Sequence, residues 1–331
     1  MAALVLSEAE VVEHLPMADC IEAMEDVLVA RARGEAQMPL RSVLRGEGSA
    51  GLLGMMPAYR GAAPPAYSVK TVCIFPGNPR LGLDAHQGVV VLFDGQTGRP
   101  TAVLNGSAVT SIRTAAVTAL ATRLLAREDA RTLAILGSGV QARAHLRSLM
   151  LVGAFEEVRV FSPSAERARA FADEGAAAFA GRAHVTVAES ARAALDGAEV
   201  VVTATNSAEP VLERDWLAPG AHVNAIGASI PSSRELDVAT VAAAELFVDA
   251  RESLLNEAGE YRLAISEGVV DADAREVAEL GEVALGARPG RSGPQALTVF
   301  RSLGIGVEDL AAAELAASRA RAAGAGVEVE L

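Results

Sequence analysis

Residues 132 to 250 alternate short apolar runs with Ala-rich helical stretches. The runs are "TLAILGSG", "EVRVFSPS", "AHVTVA", "AEVVVTATN", "AHVNAIGAS" and "AELFVDA". This periodic βα alternation constrains the fold more than any other feature. Successive apolar strands joined by helices must lie parallel in one open sheet, with the helices covering both faces. The expected class is α/β, with a Rossmann-type, doubly wound parallel sheet. The first turn of this region, "TLAILGSGVQARAHL", carries G-x-G-x-x-A at Gly137, Gly139 and Ala142. Glycines there permit a tight turn and let a pyrophosphate approach the helix N-terminus, so a dinucleotide site is expected.

A site for NAD usually has an Asp or Glu at the tip of the next strand, about 20 residues on, to bind the ribose 2′-hydroxyl. Here the strand "EVRVF" ends in Ser162-Pro163-Ser164, with Arg167 following. Two hydroxyls and a guanidinium suit a 2′-phosphate better, so NADP is favoured and NAD is the alternative. Ser162 and Ser164 could equally serve only to cap the following helix.

The remainder reads as a second domain. Residues 16 to 33 predict a helix, with Pro16 in its first turn and Gly34 ending it. Strand-like segments follow: "RSVLRG", "GLLGMMPAY", "AYSVKTVCIF" and "GVVVLFD". The last turns through "DGQTGRP" into "PTAVLNG" as a hairpin. Residues 110 to 126 predict a helix with Thr110 or Ser111 as N-cap, and "TVFRSLGIGVEDLAAAELAASRARA" reads as mostly helical. An α+β domain therefore precedes the parallel sheet, and the join is expected just after Arg113.

The bulk properties agree with two globular domains. The chain has 331 residues, 51% hydrophobic and 21% charged, against about 150 residues per domain. The net charge of −13, without a Lys/Arg cluster, argues against nucleic-acid or anionic-membrane binding. Cys20 and Cys73 stand far apart with no CxxC, so neither a zinc site nor a disulfide framework is expected. The N-terminus lacks a basic region, acids interrupt it early, and no uncharged apolar run is long enough to span a bilayer. A cytoplasmic protein with no membrane association is expected.

Three basic residues interrupt apolar or small-residue stretches: Arg41 in "QMPLRSVL", Lys70 in "AYSVKTVCIF" and Arg113 in "VTSIRTAAVTAL". A buried lysine or arginine is costly unless paired. Together the three suggest a pocket for a small carboxylate, gripped bidentately by Arg and met by a compact, titratable Lys. His86 begins a strand and could join that pocket. Ser229 follows "HVNAIG" at the exit of a predicted strand, where parallel sheets place their chemistry.

The motifs "MPLR", "SVKTV", "HQGVVVLFDGQTGRP", "TSIRTAAVTALAT", "ILGSGVQARAH", "VNAIGASIPSSREL" and "TVFRSLGIGVEDLAAA" occur in that order. With them the chain resembles the ornithine cyclodeaminase/mu-crystallin family over nearly its whole length. The resemblance implies a homodimer in which residues 1–113, with 300–331 folding back, form the substrate-binding and dimerisation domain. Residues 114–299 would bind NAD(P). Arg41, Lys70, His86, Arg113, Ser229 and Val299 match substrate positions, with Lys70 and Ser229 at the catalytic ones. Arg113, Thr114, Gly137, Ser138, Gly139, Val140, Gln141, Ser162, Ser164, Arg167, Thr203, Thr205, Asn224, Ala225, Ile226 and Thr298 match cofactor positions, Thr298 and Val299 lying in a segment that closes over nicotinamide and substrate.

Two residues depart from the cyclodeaminase pattern. Ala85 stands where the cyclodeaminase has a Thr touching the cofactor, and Ser229 where it has an acid/base Asp. A hydroxyl in an ordinary environment cannot exchange protons near neutral pH as a carboxylate does. The implied activity is therefore NAD(P)H-dependent reduction of a small α-imino acid, such as Δ1-pyrroline-2-carboxylate or Δ1-piperideine-2-carboxylate. The alternatives are an ornithine cyclodeaminase, an alanine-dehydrogenase-like enzyme, or an NADPH-dependent small-ligand-binding protein with little turnover.

Overall fold

A computed structural model describes residues 2–330, the side chain of Pro79 excepted. The chain divides into two compact units, residues 1–116 with 305–331 and residues 117–304.

The first unit is built on strands β1 (Ala3–Leu6), β2 (Ala36–Gln37), β3 (Ser42–Leu44), β4 (Leu52–Arg60), β5 (Ala66–Ile74), β6 (His86–Asp94) and β7 (Pro100–Asn105). With the terminal strand Val327–Val329 they form one sheet in the order Val327–Val329, β1, β7, β6, β5, β4, β2, and β3 also pairs with β4. Only the β1–β7 pairing is parallel. Helices α1 (Glu8–His14) and α2 (Met17–Ala32) precede most of the sheet. Ser7 and Glu10 close α1 with a reciprocal capping box. The α2 span follows the expectation, with Pro16 at the N-cap.

Side chains alternate across a strand, so Met56, Ala58, Ser68, Lys70, Val90 and Leu92 share the buried face. The C-terminal helix Gly306–Ala323 packs on that face beside α2. Gly306 is required at this crossing, because a Cβ there would lie 2.8 Å from the Pro57 carbonyl. The opposite face carries Pro57, Tyr59, Tyr67, Val69, Val91 and Phe93 in register.

Helix α3 (Gly106–Leu125) begins four residues before Thr110. Asn105 caps it, its Oδ1 accepting from the Ala108 N–H at 2.9 Å, so Thr110 and Ser111 are interior helix residues and not caps. Strand β7 runs straight into this helix, which sets its start earlier than the apolar periodicity suggests.

The second unit contains β8 (Thr132–Leu136), β9 (Glu157–Phe161), β10 (His184–Val187), β11 (Val200–Thr203), β12 (His222–Ala225), β13 (Glu245–Val248), β14 (Ala278–Glu279) and β15 (Thr298–Arg301). All pair in parallel, in the order β10, β9, β8, β11, β12, β15, β13, β14. Chain order reverses at β8, whose neighbours are β9 on one side and β11 on the other. That is the switch point where doubly wound sheets bind ligands, beyond the strands' carboxyl ends. Helices α4 (Val140–Val152) and α5 (Ala165–Ala178) follow β8 and β9.

The last segment is mostly helical, as expected, from Gly306 onward, but the returning part starts later than residue 300. Residues 298–301 form β15, inserted between β12 and β13. Phe300 and Arg301 thus belong to the second unit's sheet and not to the returning segment. A run of four fully buried residues reads equally as helix or strand, and only its neighbours decide.

Candidate functional site

In the first unit, two of the three expected basic residues, Lys70 and Arg113, converge on two acids. Lys70 points from the middle of β5 into the buried face, and Arg113 projects from α3. Glu308 and Asp309 stand in the first turns of the C-terminal helix, where the macrodipole favours negative charge. Lys70 Nζ lies 2.8 Å from Asp309 Oδ2 and donates to Thr110 Oγ1 at 3.3 Å. Arg113 donates through Nε to Asp309 Oδ1 at 2.9 Å and through Nη1 to Glu308 Oε2 at 2.8 Å. Lys70 is 3% exposed, Arg113 4%, and both acids 0%. Charges this deeply buried are tolerated only in close pairs, because each ion loses several kcal/mol of hydration.

The electrostatics follow from that burial. Desolvation brings the Lys70 ammonium down to about 8, against the upward pull of Asp309 and with further lowering from Arg113 and Arg41. Burial opposes ionisation of Asp309, yet Lys70 and Arg113 hold its carboxyl below the usual range. Cys20, buried beside this cluster, is pushed up to about 12 by desolvation, so it is an inert packing thiol. Arg41 is half-buried and near enough to act on Lys70; His86 is exposed at the start of β6.

Glu308 and Asp309 were legible only as two acids opening a helix. Acids at that place usually serve the helix dipole in solvent, so nothing local marked them as partners of Arg113, 196 residues from Asp309.

In the second unit the glycine turn has the geometry a pyrophosphate requires. Gly137 adopts φ +124°, and a Cβ there would sit 2.4 Å from the Ala204 carbonyl. Its N–H donates to the Phe161 carbonyl at 2.8 Å. Gly139 is the N-cap of α4 without a side-chain cap, there is no acid in the first turn, and no atom lies within 4 Å of a Cβ built on it. The first-turn N–H groups of a helix have no intrahelical partner, and here they stand at the positive end of the dipole beside the open space at Gly139, which fits an anionic dinucleotide. Ser138 is buried, its carbonyl accepting from Arg143, and Val140 is exposed. Ser164 caps α5, accepting from the Arg167 N–H at 3.3 Å. Ser162 stands half-buried one residue past β9, and Arg167 is exposed.

Several of the expected cofactor residues have partners within the protein or are buried. The Thr203 and Thr205 hydroxyls donate to Glu235. Asn224 lies inside the sheet layer, its amide donating to Thr122 at 2.9 Å and its oxygen paired with His222 Nε2 at 3.1 Å. Ala225 and Ile226 are buried at the end of β12, and Thr114 is buried within α3.

The expectation for Thr298 and Val299 needs correction. Thr298 pairs with His222 at the amino end of β12, and Val299 with Val223, whereas Gly137 follows the carboxyl end of β8. Thr298 Oγ1 is 2.9 Å from His222 Nδ1, and both residues are fully buried. They are interior strand residues at the wrong end of the sheet to close over a cofactor. Residues 302–304 occupy the carboxyl end, where Asp249 Oδ2 accepts from the Leu303 and Gly304 N–H groups at 2.7 and 2.6 Å. Ser229 lies four residues past β12, half-buried.

Among the described residues no helix is long and apolar enough to cross a membrane. The ketimine reductase mu-crystallin of Mus musculus is 40% identical over 314 residues, covering 94% of this chain and 95% of the relative. A solved structure of the Thermococcus litoralis Δ1-pyrroline-2-carboxylate reductase, in complex with NADH and L-proline, superposes with a TM-score of 0.94 at 34% identity. It covers 98% of this chain and 100% of its own. An archaeal alanine dehydrogenase dimer with bound NAD matches with a TM-score of 0.93 at 32% identity, covering both chains completely at 100%. The sequence profile of one family matches residues 1–324, and on these grounds the chain belongs to the ornithine cyclodeaminase/mu-crystallin family.

Proposed function

We propose that this chain is an NADPH-dependent reductase of small cyclic α-imino acids of the Δ1-pyrroline-2-carboxylate or Δ1-piperideine-2-carboxylate type. The broader statement, an oxidoreductase acting on C=N bonds, accords with the reductases it matches. The observation that carries the proposal is the buried Lys70–Arg113 pair braced by Asp309 and Glu308. We assign substrate binding and subunit pairing to the first unit and the cofactor to the second.

A bound nicotinamide dinucleotide supplies the hydride that reduces the imine carbon. Arg113 and Arg41 hold the substrate carboxylate, with Arg113 kept in place by its two acids. Lys70, with its ammonium titrating at about 8, is mostly protonated at neutral pH and can still release a proton, so it suits the protonation of an imine nitrogen. Ser229 supplies a hydroxyl where cyclodeamination would need a carboxylate, which favours reduction over ring closure from ornithine. The tip of β9 has Ser162 and no carboxylate, which favours a 2′-phosphate and hence NADP over NAD.

Homodimerisation is supported by the sheet face bearing Pro57, Tyr59, Tyr67, Val69, Val91 and Phe93. Tyr67 there is 49% exposed, and its ring lies 4.6 Å from that of Tyr59. A contiguous apolar face of this kind is normally covered by a partner. The decisive experiment follows NADPH and NADH oxidation with each cyclic imine and with pyruvate plus ammonia. Consumption with a cyclic imine is expected. No consumption with either imine removes the proposal, and proline with ammonia from ornithine would establish a cyclodeaminase instead.

A further inference from the structure

The loops that follow β11 and β12 are tied together by one side chain that the sequence does not single out. Glu235 is 1% exposed. Its Oε2 accepts from the Thr203 hydroxyl at 2.8 Å and from the Gly227 N–H at 2.6 Å. Its Oε1 accepts from the Thr205 N–H and the Thr205 hydroxyl, both at 2.7 Å. Four donors thus saturate one buried carboxylate. They come from the end of β11, the loop after it, and the loop after β12. The backbone of Glu235 is fixed as well, its carbonyl accepting from Val211 and Leu212.

The glycine turn leans on the same assembly. A Cβ on Gly137 would meet the carbonyl of Ala204, between the two threonines. One on Gly227 would lie 1.9 Å from the Thr205 carbonyl and 2.6 Å from Glu235 Oε1. The walls of the switch-point crevice therefore touch backbone to backbone, and the Glu235 carboxylate holds one wall at its spacing. A buried charge that only filled space would be costly. A carboxylate receiving four hydrogen bonds is retained where the donors must be held in a fixed arrangement.

We propose that Glu235 is the positioning residue of the dinucleotide site: by pinning residues 203–205 and Gly227 it sets the width of the crevice beside the Gly137 turn, and so the affinity for the cofactor. This rests on the dinucleotide reading above. Glu235 does not touch the cofactor; it acts through the loops.

The test measures NADPH and NADH dissociation constants by nucleotide fluorescence, together with KM and kcat, on the wild type, Glu235→Gln, Glu235→Asp, Thr203→Val and Thr203→Ser. In Glu235→Gln an NH2 group faces donors. Its dissociation constant for the preferred nucleotide should rise at least tenfold, while KM for the imine at saturating cofactor changes less than twofold. Thr203→Val removes one donor at a position fully shielded from ligand and conserves volume; it should raise the cofactor constant about threefold or more, and Thr203→Ser should restore it. Glu235→Asp should fall between wild type and Glu235→Gln. If Glu235→Gln does not fold, the two Thr203 variants carry the test. A merely structural role predicts lower melting temperatures with wild-type affinity in the folded protein, and that outcome overturns the proposal. A wild type that binds neither nucleotide overturns the dinucleotide reading itself, and the Glu235 assignment with it.

Discussion

Lys70 Nζ and Asp309 Oδ2 stand 2.8 Å apart with both side chains closed off from solvent. The same aspartate holds Arg113 Nε through its other oxygen at 2.9 Å. Asp309 therefore sets the position of both cations and the proton affinity of one. Its charge raises the Lys70 ammonium against a desolvation penalty that lowers it to about 8. Activity that needs the ammonium is complete well below that value and is lost as pH rises through it. Asp309→Asn removes the upward pull, so the alkaline limb of the kcat/KM profile should move to lower pH, by about one unit or more. The variant should also lose about 3–5 kcal/mol of stability, because two buried cations lose a partner. A pH–rate profile and a urea titration check the two effects separately, and an unmoved alkaline limb would show that Lys70 is not the titrating group.

The two glycines of the dinucleotide turn should respond differently to alanine. Gly137→Ala forces a side chain into a φ of +124° and against the Ala204 carbonyl, so the folded protein should be destabilised by several kcal/mol. Gly139→Ala meets no atom within 4 Å, and its φ of −84° suits any residue. It should keep its melting temperature within a few degrees. Its added methyl nevertheless occupies the space a pyrophosphate needs, so cofactor KM should rise about tenfold or more. Unchanged cofactor KM in Gly139→Ala would place the phosphates elsewhere.

Cofactor choice turns on Ser162. A carboxylate at this strand tip accepts the ribose hydroxyls of NAD and repels a 2′-phosphate. Ser162→Asp should lower the ratio of kcat/KM for NADPH over NADH at least tenfold. A ratio that stays put would assign nucleotide discrimination to other residues.

Two histidines should make the protein acid-sensitive. His145 Nδ1 lies 2.7 Å from the Gln141 carbonyl, which can only accept, so Nδ1 carries the proton and Nε2 faces the Thr118 hydroxyl at 3.0 Å; burial outweighs that hydrogen bond and keeps the ring neutral. Burial lowers its pKa to about 4, and that of His222 to about 3, from the ordinary 6.5. A depressed folded-state value means that the unfolded chain binds the proton first. The stability is complete above pH 6.5 and drains away as pH falls toward 4. Each residue contributes on the order of 3 kcal/mol or more over that window. Urea midpoints from pH 7.5 to 4.5 should fall steeply, and His145→Gln should flatten the slope. A wild-type midpoint independent of pH in that range would rule this out.

Much of the second unit was legible in its sequence. The strands Thr132–Leu136, Glu157–Phe161 and His222–Ala225 are short apolar runs bounded by glycine, proline or polar residues, and the glycine turn lies between the first of them and its helix. β15 was not legible, because Thr298–Arg301 is buried all round and gives no periodicity. The helix start at Gly106 was missed for a related reason. A single asparagine cap, with no apolar period behind it, looks like the end of a hairpin.

Local chemistry alone sufficed for the doubly wound sheet, the glycine turn, the three unusual basic residues and the hydroxyl-bearing tip of β9. Each is a property of a few neighbouring residues and of the backbone geometry they allow. Tertiary packing alone decided which groups meet. Asp309 reaches Lys70 because the C-terminal helix lies across β4 to β6. Glu235 reaches Thr203, Thr205 and Gly227 because parallel pairing brings the ends of β11 and β12 side by side. An acid at a helix start or in a loop is stable in water without any such partner, so its sequence surroundings do not reveal whether it is solvated or buried. The removal of water settles that, and it is imposed by elements far away in the chain.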